Sequence, residues 1–288
     1  MPLFEWIKNA ISFVQMKLFI SISGYLLAYK CLKEHKQAYG EYVKSKVIRL
    51  LVPYIFVLIL YNDPLKFVLG IQGYERPIPV LIDQLLGTNC AHLWYLPCLF
   101  LLLIITYPIL IWAGKNLWKH CALFVAFLSI NYFSPALPRL YQLNEVAYYL
   151  IFFYVGYMIN YFRTLYPELI KKTNKWLLLS AMIVLFGAVG YLIRCFTSIG
   201  FELYLSIVVL FLFYKFIPKS TNTVIDDISR RSYGVYLFHS PMIYITACFC
   251  PNIDPWLMLF INFVCFGDIA YFMTVAISKS KLKFILGE

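Results

Sequence analysis

The sequence predicts an all-α fold, a polytopic membrane helix bundle of about nine transmembrane helices, on three observations. Hydrophobic residues make up 62% of the 288 residues and charged residues only 14%, and mean hydropathy is +0.74. A soluble domain carries roughly 25% charged residues, so this chain has too little polar surface to cover a water-soluble globule, and the same composition excludes disorder. The apolar residues run in long unbroken stretches instead of alternating, which excludes an outer-membrane barrel. Basic residues gather in every second connection, the pattern of cytoplasmic loops.

A helix needs about 20 mostly apolar residues to cross the hydrocarbon core. The first such segment is 4–28. On it Lys17, Ser21, Gly24 and Ala28 share one helical face, and small residues there let a second helix approach closely. Lys17 either lines a polar cavity or snorkels to the interface. The second segment, 47–62, is short and carries Pro53, which predicts a kink that neighbouring helices repair. The long connection 63–92 follows, with VLIDQLLG in its middle expected as a short interfacial helix. Further spans are predicted at 93–112, 120–134, 146–162, 175–193, 199–217, 233–250 and 256–277.

Charge sets the orientation. With the connection holding Lys30, Lys33, Lys36, Lys44, Lys46 and Arg49 placed inside, nineteen basic residues fall inside and four outside. The basic stretch 29–46 is expected to lie, partly helical, against lipid headgroups. Nine spans with an inside C-terminus put Met1 outside, yet no signal-peptide pattern is present. One more helix upstream would bring both ends inside, so the expectation is a chain lacking its start. Residues 1–288 otherwise read as a single transmembrane domain, with no repeat or low-complexity tract.

The net charge of +11 is accounted for by this loop bias and calls for no nucleic acid. The eight cysteines form no CxxC pair and no His–Cys cluster, so they read as small buried hydrophobes and no metal site is expected. The chain has no Gly-rich phosphate loop, GxSxG elbow or HExxH.

Polar residues in or at the edge of a membrane are costly and default to functional candidates. Lys46 and Arg49, spaced i,i+3 in KVIRLLVPY, stand on one face at the inner mouth of the second span. They serve either as topology anchors or as phosphate ligands, for which the arginine fork is suited. His92, in HLWYLP at the outer end of the third span, belongs either to an aromatic belt beside Trp94 and Tyr95 or to an acceptor site. Ser232, Tyr236 and His239 form one stripe in the inner half of a span. His239 is there either a proton-transfer group or a histidine simply held by a hydroxyl.

In order, ISGYLLAYK (22–30), KVIRLLVPY (46–54), HLWYLPCLF (92–100) and SYGVYLFH (232–239) resemble the landmarks of the membrane-bound acyltransferase 3 family. The resemblance covers nearly the whole chain. It implies about ten transmembrane helices with both ends cytoplasmic, one helix more than this chain has. It also implies transfer of an acyl group, typically acetyl, to sugars of cell-surface polysaccharides. Lys46 and Arg49 match the family's Arg-x-x-Arg pair, linked to the acyl-CoA donor, with lysine in the first place. Ser23 and Tyr25 flank Gly24 in the SGY patch, His92 heads the H-L-W-x-L patch, and Ser232, Tyr236 and His239 match the late patch. The family's first helix normally carries an Arg or Lys and then the His that serves as general base. Nothing here precedes the SGY helix, so the chain reads as truncated at its N-terminus relative to the family.

The expected function is therefore a multi-pass acyltransferase of the cytoplasmic membrane, with its C-terminus cytoplasmic. It would use acyl-CoA, of which acetyl-CoA is the leading form, as donor substrate and hold no bound cofactor. Its partners would be the lipid bilayer, the acyl-CoA and a sugar or polysaccharide acceptor. His239 and His92 are the candidate catalytic residues, and Lys46, Arg49, Ser23, Tyr25, Ser232 and Tyr236 the candidate substrate-binding ones. The alternatives are an inactive truncated member or a transporter of lipid-linked sugars.

Overall fold

The computed structural model describes residues 2–33, 37–75, 77–88, 91–168, 198–216 and 222–287. The span expected at 175–193 lies outside the described residues, as do Lys36, Arg76, Lys171, Lys172, Arg194 and Lys219. Among the described residues every regular element is helical.

Helix α1 is Pro2–Lys33. The second predicted span is a train of three α-helical pieces, α2 (Tyr39–Lys46), α3 (Val52–Val57) and α4 (Asp63–Val68), joined by wide π turns at Val47–Leu51 and Leu58–Asn62. The expected interfacial helix is α5 (Pro77–Leu85). A 3₁₀ turn, Ala91–Trp94, leads into α6 (Tyr95–Ala113), which Gly114 ends at φ +58°. Asn116 then caps α7 (Leu117–Phe133) by accepting from the N–H groups of Trp118 and Lys119. Helices α8 (Leu143–Leu165), α9 (Ser198–Phe216) and α10 (Thr223–Phe249) follow. Asp254 caps α11 (Pro255–Phe260), which runs through a π turn into α12 (Phe266–Ser278).

Three of these helical stretches, Ile11–Leu32, His92–Ala113 and Pro255–Ser278, are long and apolar enough to cross a membrane. Large apolar side chains stand fully outward, Phe263 at 79% and Phe272 at 67% exposure in the last of them. In water such a surface would drive association, whereas against lipid tails it is the ordinary state.

The described chain forms two compact units. The first comprises Met1–Gln37, Leu102–Leu137 and Asn144–Pro218. Its axis is α8, buried almost continuously from Val146 to Tyr161. Helix α1 meets α8 where Gly24 and Gly156 leave room. A Cβ on Gly24 would lie 1.9 Å from the Phe153 carbonyl oxygen, and one on Gly156 would lie 1.9 Å from that of Ser21. The small-residue face of α1 is thus a helix-packing face. Lys17, on the same face, is turned inward and does not snorkel. It is 5% exposed and donates to Glu202 at 2.8 Å and Ser206 at 2.9 Å on α9.

The second unit comprises Ala38–Leu101, Pro138–Leu143 and Lys219–Glu288. Gly234 lets α10 pack directly on Thr274 of α12. Arg231 chelates Asp227 with two nitrogens, and the Tyr271 hydroxyl donates to the same carboxylate. After α12 the chain turns back as a hook, with a 3₁₀ turn at Lys283–Leu286, Leu286 buried and Phe284 edge-on to Phe56 of α3.

Candidate functional site

Six of the eight residues singled out from the sequence lie in the second unit, and the first π turn organises two of them. Pro53 has no N–H to return to the carbonyl one turn earlier, that of Arg49. The hydroxyl of Tyr233 on α10 donates to that carbonyl at 3.0 Å. The backbone of Gly287, in the left-handed region at φ +73°, packs so closely on Arg49 that an added Cβ would lie 2.7 Å from its carbonyl oxygen. The main chain at Arg49 is therefore held by α10 and by the hook. Its side chain is exposed and has no hydrogen-bond or ion-pair partner among the described residues.

The π turn also changes the relation of Arg49 to Lys46. A straight α-helix would put i and i+3 on one face. The wider turn starts directly after Lys46 and rotates the two apart. The Lys46 ammonium lies 5.1 Å from the ring of buried Tyr42, so the single face expected from the spacing is corrected by a bulge that periodicity does not reveal.

The HLW and late patches meet one another. Tyr236 donates its hydroxyl to the His92 carbonyl at 2.6 Å, and its ring packs edge-on to those of His92 and Tyr95. The sequence placed Tyr236 and His239 in the inner half of a span and His92 at the outer end of another. Helix α10 begins at Thr223, ten residues before the expected start of its span at 233, so 236–239 is mid-helix and reaches His92. The rings of His92 and His239 are within electrostatic reach of each other.

The two imidazoles are held differently. His239 Nδ1 lies 2.8 Å from the Val235 carbonyl, which can only accept. In the neutral ring the proton is then on Nδ1, and Nε2 carries the lone pair. His92 makes no well-formed hydrogen bond through either buried ring nitrogen. The Leu237 carbonyl, whose helical donor is removed by Pro241, is the backbone group electrostatically coupled to it. Ser232 is exposed and bonds back to the Ser229 carbonyl at 2.7 Å, away from this stripe.

Ser23 and Tyr25 belong to the first unit. Ser23 returns its hydroxyl to the Phe19 carbonyl. Tyr25 stacks on Tyr214 at 5.3 Å, accepts from Arg163 through its hydroxyl, and accepts from Asn160 through its carbonyl at 2.7 Å. These contacts secure a helix crossing.

One cluster was not anticipated. At the end of the helix train, Asp63 Oδ1 accepts from Asn62 at 2.8 Å and Gln84 at 3.1 Å. Lys66, 1% exposed, donates to Tyr74 at 3.0 Å, and its ammonium sits 4.7 Å from the rings of both Tyr74 and Tyr244. Burial pushes the Lys66 ammonium down to about 8, with Asp63 opposing. Burial also pushes the Asp63 carboxyl up, against the Gln84 and Asn62 amides and the Lys66 charge. The sequence counted Lys66 only as an outside loop charge. The available signal was Asn62-Asp63-x-x-Lys66 closing an apolar run.

The description of an acyltransferase domain, acyltransferase 3, matches residues 2–278. No curated protein and no solved structure matches the chain. A match over nearly the whole length, on a helical chain with membrane-length apolar spans, makes this a membrane acyltransferase: the chain belongs to the acyltransferase 3 family.

Proposed function

We propose that the protein transfers an acyl group, acetyl in the simplest case, from acyl-CoA to a sugar hydroxyl of a cell-surface polysaccharide or its precursor. It would do so in the cytoplasmic membrane, with its C-terminal hook on the cytoplasmic side. The observation that carries this reading is the Arg49 guanidinium, exposed and unpartnered among the described residues on a backbone held by Tyr233 and Gly287. A planar guanidinium fork is suited to a phosphate, and the phosphates of coenzyme A are the anionic handle of an acyl donor. Lys46 adds a second cation at the same mouth.

Chemistry then needs a base within reach of the acceptor hydroxyl. His239 Nε2 is the available lone pair, and His92 lies beside it. The base takes the hydroxyl proton as the oxygen attacks the thioester carbonyl. The tetrahedral intermediate collapses by breaking the C–S bond, and the departing thiolate takes up the proton.

The test is acyl transfer in membranes bearing the Arg49→Ala variant. Loss of a charge-assisted contact of about 1.5–3 kcal/mol raises the KM for acyl-CoA at least tenfold while membrane insertion is unchanged. An unaltered KM removes Arg49 from the donor site.

A further inference from the structure

We infer that the outward face of α11 and α12 around Asp268 is a docking face for a transmembrane helix of another membrane protein, one that carries a lysine or arginine at the same depth. The inference does not depend on the donor or acceptor reading above.

Asp268 is the only charged residue from Pro255 to Ser278, a stretch long and apolar enough to cross a membrane. At about 1.5 Å per residue it lies roughly 20 Å from the first end and 15 Å from the second, near the middle of a hydrocarbon core about 30 Å thick. Its carboxyl hangs on a single methylene, too short to snorkel to the interface. Ala270 and Thr274 form the buried face of α12, where Gly234 of α10 packs on Thr274. Asp268 is about 160° round the helix from Ala270 and is exposed, on the same outward side as Phe272.

The polar neighbours of Asp268 on this stretch are spent within the chain. Thr246 of α10 donates to Asn262 at 2.8 Å, and Tyr271 donates to Asp227. Thr274 and Ser278 return their hydroxyls to the Ala270 and Val275 carbonyls. Asp268 alone of these has no hydrogen-bond or ion-pair partner among the described residues. A carboxyl left among acyl chains is costly, and intramembrane ionisable residues ordinarily face a bundle interior or pair with one another.

Charge narrows what can cover it. Acyl chains offer no hydrogen-bond donor. A second copy packed through the same face would set Asp268 against Asp268, and the exposed residues around it, Phe260, Phe263, Val264, Ile269 and Phe272, are apolar and offset neither charge. A helix that presents a cation supplies the missing partner, and its apolar remainder packs on those same side chains. Gly267, beside Asp268, leaves space for it: a Cβ there would meet nothing within 4 Å, so a partner backbone can approach closely.

The test uses the full chain in lipid nanodiscs, labelled at its C-terminus, with labelled Leu/Ala helices of about 20 residues bearing Lys, Leu or Glu at the centre. A central position matches the depth of Asp268 in either orientation, and energy transfer reads association. Wild type should bind the Lys helix about tenfold or more tightly than the Leu or Glu helix. Asp268→Leu should lose that preference, and Asp268→Lys should transfer it to the Glu helix. Asp268→Leu should also melt no lower than wild type, because it removes no contact within the chain. The proposal is overturned by equal binding of the three helices, by binding of none, which leaves the face to lipid, or by a Lys preference retained in Asp268→Leu. A lower melting temperature in Asp268→Leu would pair Asp268 within its own chain and overturn it as well. Self-association of wild type that Asp268→Leu abolishes would assign the face to a second copy, with the same consequence.

Discussion

Replacing Gly24 by alanine adds one carbon where none fits. The new Cβ would lie 1.9 Å from the Phe153 carbonyl oxygen and 2.8 Å from its carbon. The obstacle is backbone on α8, so no rotamer change relieves it. Non-bonded contacts below 3.0 Å essentially never occur at a Cβ, so α1 and α8 must part by about 1 Å, a gap that forfeits a quarter to a half of each dispersion contact it opens. The same movement stretches the 2.7 Å bond from Asn160 to the Tyr25 carbonyl. Overpacking costs about 1–3 kcal/mol and the hydrogen bond about 1 kcal/mol, so Gly24→Ala should destabilise by roughly 2–4 kcal/mol. Gly156→Ala should match it, since its Cβ meets the Ser21 carbonyl at 1.9 Å. The double variant should cost less than the two together, because the helices part only once. Gly40→Ala is the control. It sits in α2 with nothing within 4 Å and should gain up to about 1 kcal/mol of helix propensity. Thermal denaturation in detergent, read as the fraction remaining monodisperse, ranks the four proteins. A Gly24→Ala protein as stable as Gly40→Ala would refute the close crossing and the reading of the SGY patch as a packing device.

Gly287→Ala forces a side chain into φ +73° and against the Arg49 carbonyl; the KM for acyl-CoA should rise severalfold with kcat retained, and an unchanged KM would remove the hook from donor binding. Glu202→Gln takes away the charge partner of buried Lys17. Because the Glu202 side chain is 47% exposed, the loss should fall below the 3–5 kcal/mol of a fully buried pair, at about 1–2 kcal/mol. Adding Lys17→Met should recover most of it in a double-mutant cycle, and strict additivity would deny the pair. Lys66 predicts a pH dependence. Its folded pKa, about 8, lies below the ordinary 10.5. Between these values the unfolded chain binds more protons, so stability rises with pH across that window and the burial penalty is fully present below about 8. Asp63, Tyr74, Tyr244 and His92 are the titratable groups around it; burial, Asp63 and Tyr244 keep Tyr74 up at about 12, beyond the window. Melting temperatures of wild type and Lys66→Met should converge from pH 8 to 10.5, and parallel curves would count against the burial of a charged lysine.

Composition and run length alone settled the fold class, because a helix that satisfies its own backbone is the one element a continuous apolar run can form in lipid. Eight of the nine expected spans coincide with described helical stretches, and even the short helix at VLIDQLLG was legible from its setting between apolar runs. The four family patches were legible as patches. Their grouping was not. That Tyr236 holds the His92 turn, that Tyr233 and Gly287 clasp Arg49, and that Asp63 and Lys66 decline to pair all depend on residues far apart in the chain. Two π turns also shift the register of the helix that carries Lys46, Arg49, Asp63 and Lys66. A periodic pattern presumes a constant turn, so one inserted residue rotates everything beyond it without changing the composition from which the helix was predicted. The sequence by itself determined which segments are helical and greasy. Tertiary packing decided which polar atoms are spent on the protein's own backbone and which keep no partner among the described residues.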